Sequence, residues 1–277
     1  MLTLPFLIPL ALMQVGPAPT ASPITAVPPE LQNRPPREGV RTAPLLDRSP
    51  NRPAIELCLD TARSDPARAR DFAAEWISRT DGLQRATGRH CLGVAAGNLG
   101  DWAGAADAFI AAREEATDPT FRTRMGALAG SALLSQGRAA EALTLLDTVR
   151  GEGPGDAYLR GAIAQDRAAA LVALGREAEA GEALAEARTL TPDDPQAWLL
   201  SATLARRLDD LAGAQTYIER ASTIDPRDPA IGLEAGVIAA LAGRDDAARQ
   251  SFQSVLAAAP DSPQAAAAKS YLEQLAQ

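Results

Sequence analysis

Histidine, lysine and cysteine are almost missing from this 277-residue chain, which has one His, a single Lys at Lys269 and two Cys. One imidazole and two thiols leave no material for a zinc cluster, a His-rich metal site or a dense disulfide scaffold. Aromatic residues are only 4%, so the 46% hydrophobic content rests on Ala and Leu, which favour helix over sheet. That content is enough for a core and excludes wholesale disorder. Bases are outnumbered 27 to 35, for a formal net charge of −8. An acidic chain lacks the cationic face that nucleic-acid phosphates need, so no nucleic-acid partner is expected.

Catalytic motifs are absent too. There is no phosphate loop, no Gly-x-Gly-x-x-Gly turn, no His-Glu-x-x-His helix and no Gly-x-Ser-x-Gly elbow. His90 has no Ser and Asp placed for a relay and reads as a surface residue of a helix. The acidic pairs Asp193-Asp194, Asp209-Asp210 and Asp245-Asp246 sit at or near predicted helix starts, where carboxylates cap free N–H groups rather than do acid–base work. Neither an enzyme, a cofactor nor a metal is expected.

What is present falls into three segments. Residues 1–16 carry no charge, and their apolar run is shorter than the ~20 residues of a bilayer span but suits the core of a signal peptide. Residues 1–21 are read as that peptide, with the chain periplasmic or otherwise exported, although no Lys or Arg precedes the run. A retained, membrane-anchoring segment and a cytoplasmic chain are the alternatives. Residues 17–53 contain ten Pro, and Arg34, Arg37, Arg41, Arg48 and Arg52 outnumber Glu30, Glu38 and Asp47. Pro removes backbone donors and disfavours helix before it, so 22–53 is expected to be an extended linker. The Lys-poor, Ala-, Arg-, Gly- and Pro-heavy composition is what GC-rich bacterial codons produce.

From Ala54 onwards the text is helical and repetitive. Pro192-Asp-Asp-Pro195, Pro226-Arg-Asp-Pro229 and Pro260-Asp-Ser-Pro263 stand 34 residues apart. In each, the first Pro stops a helix, Asp or Ser caps the next, and the second Pro sits in its first turn, where a missing N–H costs nothing. Aligning on these strings brings Gly100, Gly137, Gly175, Asp209 and Gly243 into one turn column. Five residues on stand Ala105, Ala142, Ala180, Ala214 and Ala248, then Phe109, Leu146, Leu184, Ile218 and Phe252, then Ala112, Val149, Ala187, Ala221 and Val255. Upstream, Gly93, Gly130, Ala168, Ala202 and Gly236 form a small-residue column, which lets antiparallel helices approach closely.

This pattern resembles the tetratricopeptide repeat. The resemblance implies an all-α fold, a helix-turn-helix solenoid winding as a right-handed superhelix. Five regular units are expected near 86–119, 123–156, 161–194, 195–228 and 229–262, with a degenerate hairpin at 54–85 and a capping helix at 263–276. Two unit-to-unit steps are longer than 34, and the extra residues are placed in loops near 117–120 and 151–156. Only the fourth unit keeps the family's Trp, as Trp198.

The resemblance also implies a concave groove, lined by the first helix of each unit, that receives a peptide or partner helix. Its columns carry over as His90, Val94 and Asn98 in the first unit, and Arg124, Ala127, Ser131 and Leu134 in the second. The third unit supplies Gln165, Ala169 and Val172. The fourth supplies Leu199, Thr203, Arg206 and Arg207, and the fifth Leu233, Val237 and Leu241. Arg206 and Arg207 read as solvated helix ends, with pairing to a carboxylate on a ligand as the other reading. The expected function is a non-enzymatic interaction scaffold of the bacterial cell envelope with a protein or peptide partner. A membrane-tethered assembly subunit and a self-associating homo-oligomer are the alternatives, and membrane contact is expected only through an uncleaved N-terminal segment. The Pro-rich segment folding back into the groove is a further reading.

Cys58 and Cys91 lie 33 residues apart, about one repeat, and so on neighbouring first helices in similar phase. A disulfide there would tie the irregular hairpin to the stack, by roughly 3–4 kcal/mol. Helix axes about 8–10 Å apart argue against it, since a disulfide wants Cα atoms within about 7 Å. Two buried thiols are the other reading.

Overall fold

The computed structural model describes residues 52–152 and 156–276. The expected signal peptide at 1–21 and all but the last two residues of the 22–53 linker lie outside the described residues. Among the described residues there are thirteen helices and no strand.

The chain opens with a short hairpin, α1 (Ala54–Ser64) and α2 (Pro66–Ser78). Asp65 makes the break between them, since its carboxylate accepts the Arg68 N–H at 3.1 Å while Pro66 occupies the first turn of α2. Five longer hairpins follow: α3 (Gly82–Asn98) with α4 (Trp102–Glu115), α5 (Pro119–Ser135) with α6 (Ala139–Glu152), and α7 (Ala157–Ala173) with α8 (Glu177–Leu190). Then come α9 (Pro195–Arg207) with α10 (Leu211–Ile224), and α11 (Pro229–Leu241) with α12 (Asp245–Ala258). The last helix, α13 (Pro263–Gln274), covers the apolar face of the final hairpin through Ala265, Ala268 and Tyr271.

The helix starts use one device. Asp118, Asp156, Asp194, Asp228 and Ser262 each accept a first-turn N–H, and all but Asp156 precede a Pro. Of the three acidic pairs, two contribute one cap each, Asp194 to Gln196 and Asp210 to Gly213. Asp245 and Asp246 do not cap. They lie inside the first turn of α12, where their charge faces the helix's positive end and Asp246 holds Arg249 at 2.9 Å.

The expectation that the longer steps hold extra loop residues is not met. Helices α3, α5 and α7 are each 17 residues long, whereas α9 and α11 are 13. The additional residues form one more turn at the N-terminus of the first helix, so the first three hairpins begin four residues before the expected 86, 123 and 161. The cause is local, because Asp118 and Asp156 cap there and nothing after them breaks the helix.

In the five longer hairpins the turn between paired helices is closed by a left-handed residue. Gly100, Gly137, Gly175 and Gly243 have φ between 69° and 78°, and Asp209 takes the same place at φ 60°. Its N–H reaches back to Arg206 O at 3.1 Å, and that of Asp210 to Ala205 O at 2.9 Å, which satisfies carbonyls the helix end leaves free.

Inside each of the five longer hairpins the small-residue column meets the large apolar column 16 residues later. A Cβ added at Gly93 would lie 2.5 Å from the Phe109 ring, at Gly130 2.6 Å from Leu146, and at Gly236 2.5 Å from Cδ1 of Phe252. Where the facing side chain is Leu184 or Ile218, the small partner grows to Ala168 or Ala202, in the same clusters. Size is thus traded between the columns at the extremes, Phe against Gly and Ile against Ala, while Leu is met by either small residue.

Cys58 on α1 and Cys91 on α3 are bonded to one another, with Cα atoms 6.1 Å apart and both side chains fully buried. The helix-spacing objection fails because each Cα stands about 2.3 Å off its axis toward the other helix. The surroundings are small as well, namely Ala62, Ala69, Ala73 and Ala95.

Two outcomes are expected in urea melts. Gly236→Ala overpacks the Phe252 contact and costs about 1–2 kcal/mol net of the helix propensity gained. Adding Phe252→Leu recreates the Ala168–Leu184 pairing and recovers most of the loss; a double variant no better than the single one would contradict the size exchange. Asp209→Gly relieves the left-handed strain and stabilises by up to about 1 kcal/mol.

Candidate functional site

Consecutive first helices touch at α1–α3, α5–α7, α7–α9, α9–α11 and α11–α13, whereas no pair of second helices packs to a comparable extent. The first helices therefore lie on the inner side of the curve. Val94, Ser131, Ala169, Thr203 and Val237 occupy one column of these helices, and every one is half-buried. This is an uncharged strip of half-buried side chains, of which Val94 and Val237 also pack against core clusters.

The other expected groove residues divide. Leu199 and Leu233 are buried in core clusters, and so is Ala127. Gln165 donates to Asp194 at 2.6 Å, and Asn98 donates to the Ala62 carbonyl at 2.8 Å, clamping α3 to the last turn of α1. Leu134 and Val172 are half-buried, while Arg124, Arg207 and Leu241 are exposed. His90 is not the surface residue expected. It is half-buried between the rings of Phe109 and Phe121, centroids 6.3 and 6.0 Å away. Burial, with Arg124 adding to it, lowers its pKa to about 4, so the imidazole is neutral.

Arg206 is not available to a ligand either. It grips Glu234 of the next first helix with two bonds, at 2.7 and 3.2 Å, and Glu234 is 5% exposed. A carboxylate buried that far needs its cation. Arg207, in contrast, is exposed and has no ion-pair partner among the described residues.

The same register shows a residue that the sequence reading passed over. Arg206 and Glu234 occupy two columns that face each other across successive first helices. One unit earlier the pair is Val172 and Leu200, packed on one apolar cluster. Two units earlier it is Leu134 and Asp166. The ion pair and the apolar pair are matched, but this third pair is not. Asp166 has no hydrogen bond or ion pair among the described residues, and burial pushes its pKa up to about 7. A comparison of these two columns, rather than a search for motifs, would have found it.

Elsewhere charge serves structure. Arg188 lies over the rings of Tyr217 and Trp198, at 4.5 and 5.5 Å. Arg85 and Arg89 share Glu115 at 2.8 and 3.1 Å. Among the described residues no group of three or more His, Cys, Asp or Glu could hold a metal ion, and no helix is long and apolar enough to cross a membrane.

Family models described as tetratricopeptide repeat match residues 133–204 and 205–272, and, in a second model, 92–157. No curated protein matches the chain. Among solved structures it is similar to PilW, described as a widely conserved type IV pilus biogenesis factor, with TM-score 0.64 and 16% identity over 76% of this chain and 94% of that one. It is similar to pilF of Pseudomonas aeruginosa, with TM-score 0.62 and 16% identity over 79% and 95%. A thermophilic repeat protein of Thermus thermophilus matches with TM-score 0.58 and 21% identity over 68% and 98%. At these identities the likeness is one of fold.

Asp166 gives the chain a pH dependence of known sign. The folded carboxyl keeps its proton to about pH 7, whereas an unfolded Asp releases it near ~3.9. Between those values the folded state binds more protons, so stability falls as pH rises. His90 contributes the opposite slope between about 4 and ~6.5, in wild type and variant alike. Thermal melts of a chain beginning at Arg52, with Asp166 and with Asp166→Asn, are therefore expected to coincide near pH 4, to separate in the variant's favour up to pH 7, and to run parallel above. Curves parallel throughout would contradict the assignment.

Proposed function

Because the chain belongs to the tetratricopeptide repeat family, a family of protein–protein interaction scaffolds, we propose that it is a non-enzymatic scaffold of the bacterial cell envelope. It holds an extended peptide or a helix of a protein partner along its first helices. The observation that carries this reading is the uncharged strip of Val94, Ser131, Ala169, Thr203 and Val237, half-buried in all five units. Such a strip offers apolar contact area along the stack, with exposed Arg124 and Arg207 flanking it to orient a polar or acidic end.

Export is supported by two features of different origin. The uncharged run at 1–16 has the length of a signal-peptide core. The Cys58–Cys91 bond belongs to an oxidising compartment rather than to a reducing cytosol.

In-cell photo-crosslinking tests the surface. A photoreactive residue at Thr203 is expected to yield one discrete partner adduct, and the same residue at the exposed Thr216 of α10 to yield none. Equal capture from both positions would move the working surface off the inner side. Sequencing the N-terminus of the protein recovered from the same cells tests export, with a start near Ser22 expected.

A further inference from the structure

Resting on that reading of the inner surface, we propose that its resident occupant is this chain's own Pro-rich segment, running along the first helices with Arg41 seated against Asp166. The argument starts from the unmatched pair. At α9–α11 a buried carboxylate, Glu234, receives its guanidinium from the preceding first helix, through Arg206. At α5–α7 the equivalent cation position is Leu134, and Asp166 is left half-buried with no partner among the described residues. The stack has a place for a cation there and does not supply one.

The chain does supply cations at its other end. Residues 17–53 carry Arg34, Arg37, Arg41, Arg48 and Arg52 against three acids, a surplus of two in a chain whose net charge is −8. The base of this segment is fixed on the inner helices, because Arg52 is held by Glu56, at 3.4 Å, and by Asp60, both on α1. From α1 to α7 there are three first-helix steps, of which α1–α3 and α5–α7 are packed pairs; at about 8–10 Å for a packed pair the path is at least roughly 24–30 Å. A Pro-rich segment extends about 3.1 Å per residue, so going back from Arg52 to Arg41 covers about 34 Å and reaches Asp166. Arg48 falls well short of it. A tethered segment of this kind competes with any outside partner at high effective concentration, so the partner must displace it.

The test uses the full chain with a photoreactive benzoylphenylalanine in place of Val40, and mass spectrometry of the digested product. Wild type is expected to give adducts within one chain on α5 and α7. Asp166→Asn removes the charge, and Leu134→Arg fills the internal cation position as Arg206 does. Each is expected to lower that adduct about tenfold, the worth of one charge-assisted bond, with helical circular dichroism unchanged. Adducts elsewhere on the stack, adducts between two chains, or yields unmoved by Asp166→Asn and Leu134→Arg would overturn the proposal. Loss of the Val40 adduct while Thr203 still captures an outside protein would leave the scaffold reading standing and remove only the self-occupied state.

Discussion

The structure depends on one contact repeated five times, a small residue on a first helix against a large apolar side chain 16 positions later on its partner. Without a closed core, each hairpin has only its neighbours to bury against, and the helix–helix distance inside the hairpin sets the surface it offers them. The chain accommodates the large side chain by exchange of size between the two columns. Phe faces Gly, Leu faces Gly or Ala, and Ile faces Ala. A stack of Ala-rich helices with few aromatics can therefore be regular without being identical from unit to unit.

Between hairpins the matching is of partners rather than of volumes. Successive first helices meet through two facing columns, filled once by Val172 and Leu200 and once by the Arg206–Glu234 ion pair. At the N-terminal end a covalent bond joins the helices, with Cys91 standing in the same column as Leu128, Asp166, Leu200 and Glu234. Among the described residues Asp166 marks the junction where the pairing is left open, and it is the junction on the inner surface nearest the middle of the stack.

Most of the architecture was legible because its determinants are local. Caps such as Asp65 and Ser262, first-turn prolines and left-handed glycines act within a few residues, and they mark helix ends to within about two residues. What was not legible depended on relations between helices. Asp118 and Pro119 were the means of starting α5 one turn early, yet a 34-residue template assigned them to a loop. Arg206 looked free as a residue on one helix and is bound as a member of a pair across two. His90 looked exposed because nothing in its own sequence neighbourhood shows that Phe121 of the next unit lies against it.

The longer first helices have a consequence for direction. At about 1.5 Å per residue, the four additional residues of α3, α5 and α7 raise one wall of the inner surface by about 6 Å over the N-terminal three hairpins. The wall then drops at α9 and α11. The channel is consequently a trough with a ledge at its middle, not a uniform gutter. An elongated guest laid in it meets a high rim along one half and a low rim along the other. The two directions along the trough are therefore not equivalent, a difference set by backbone length alone.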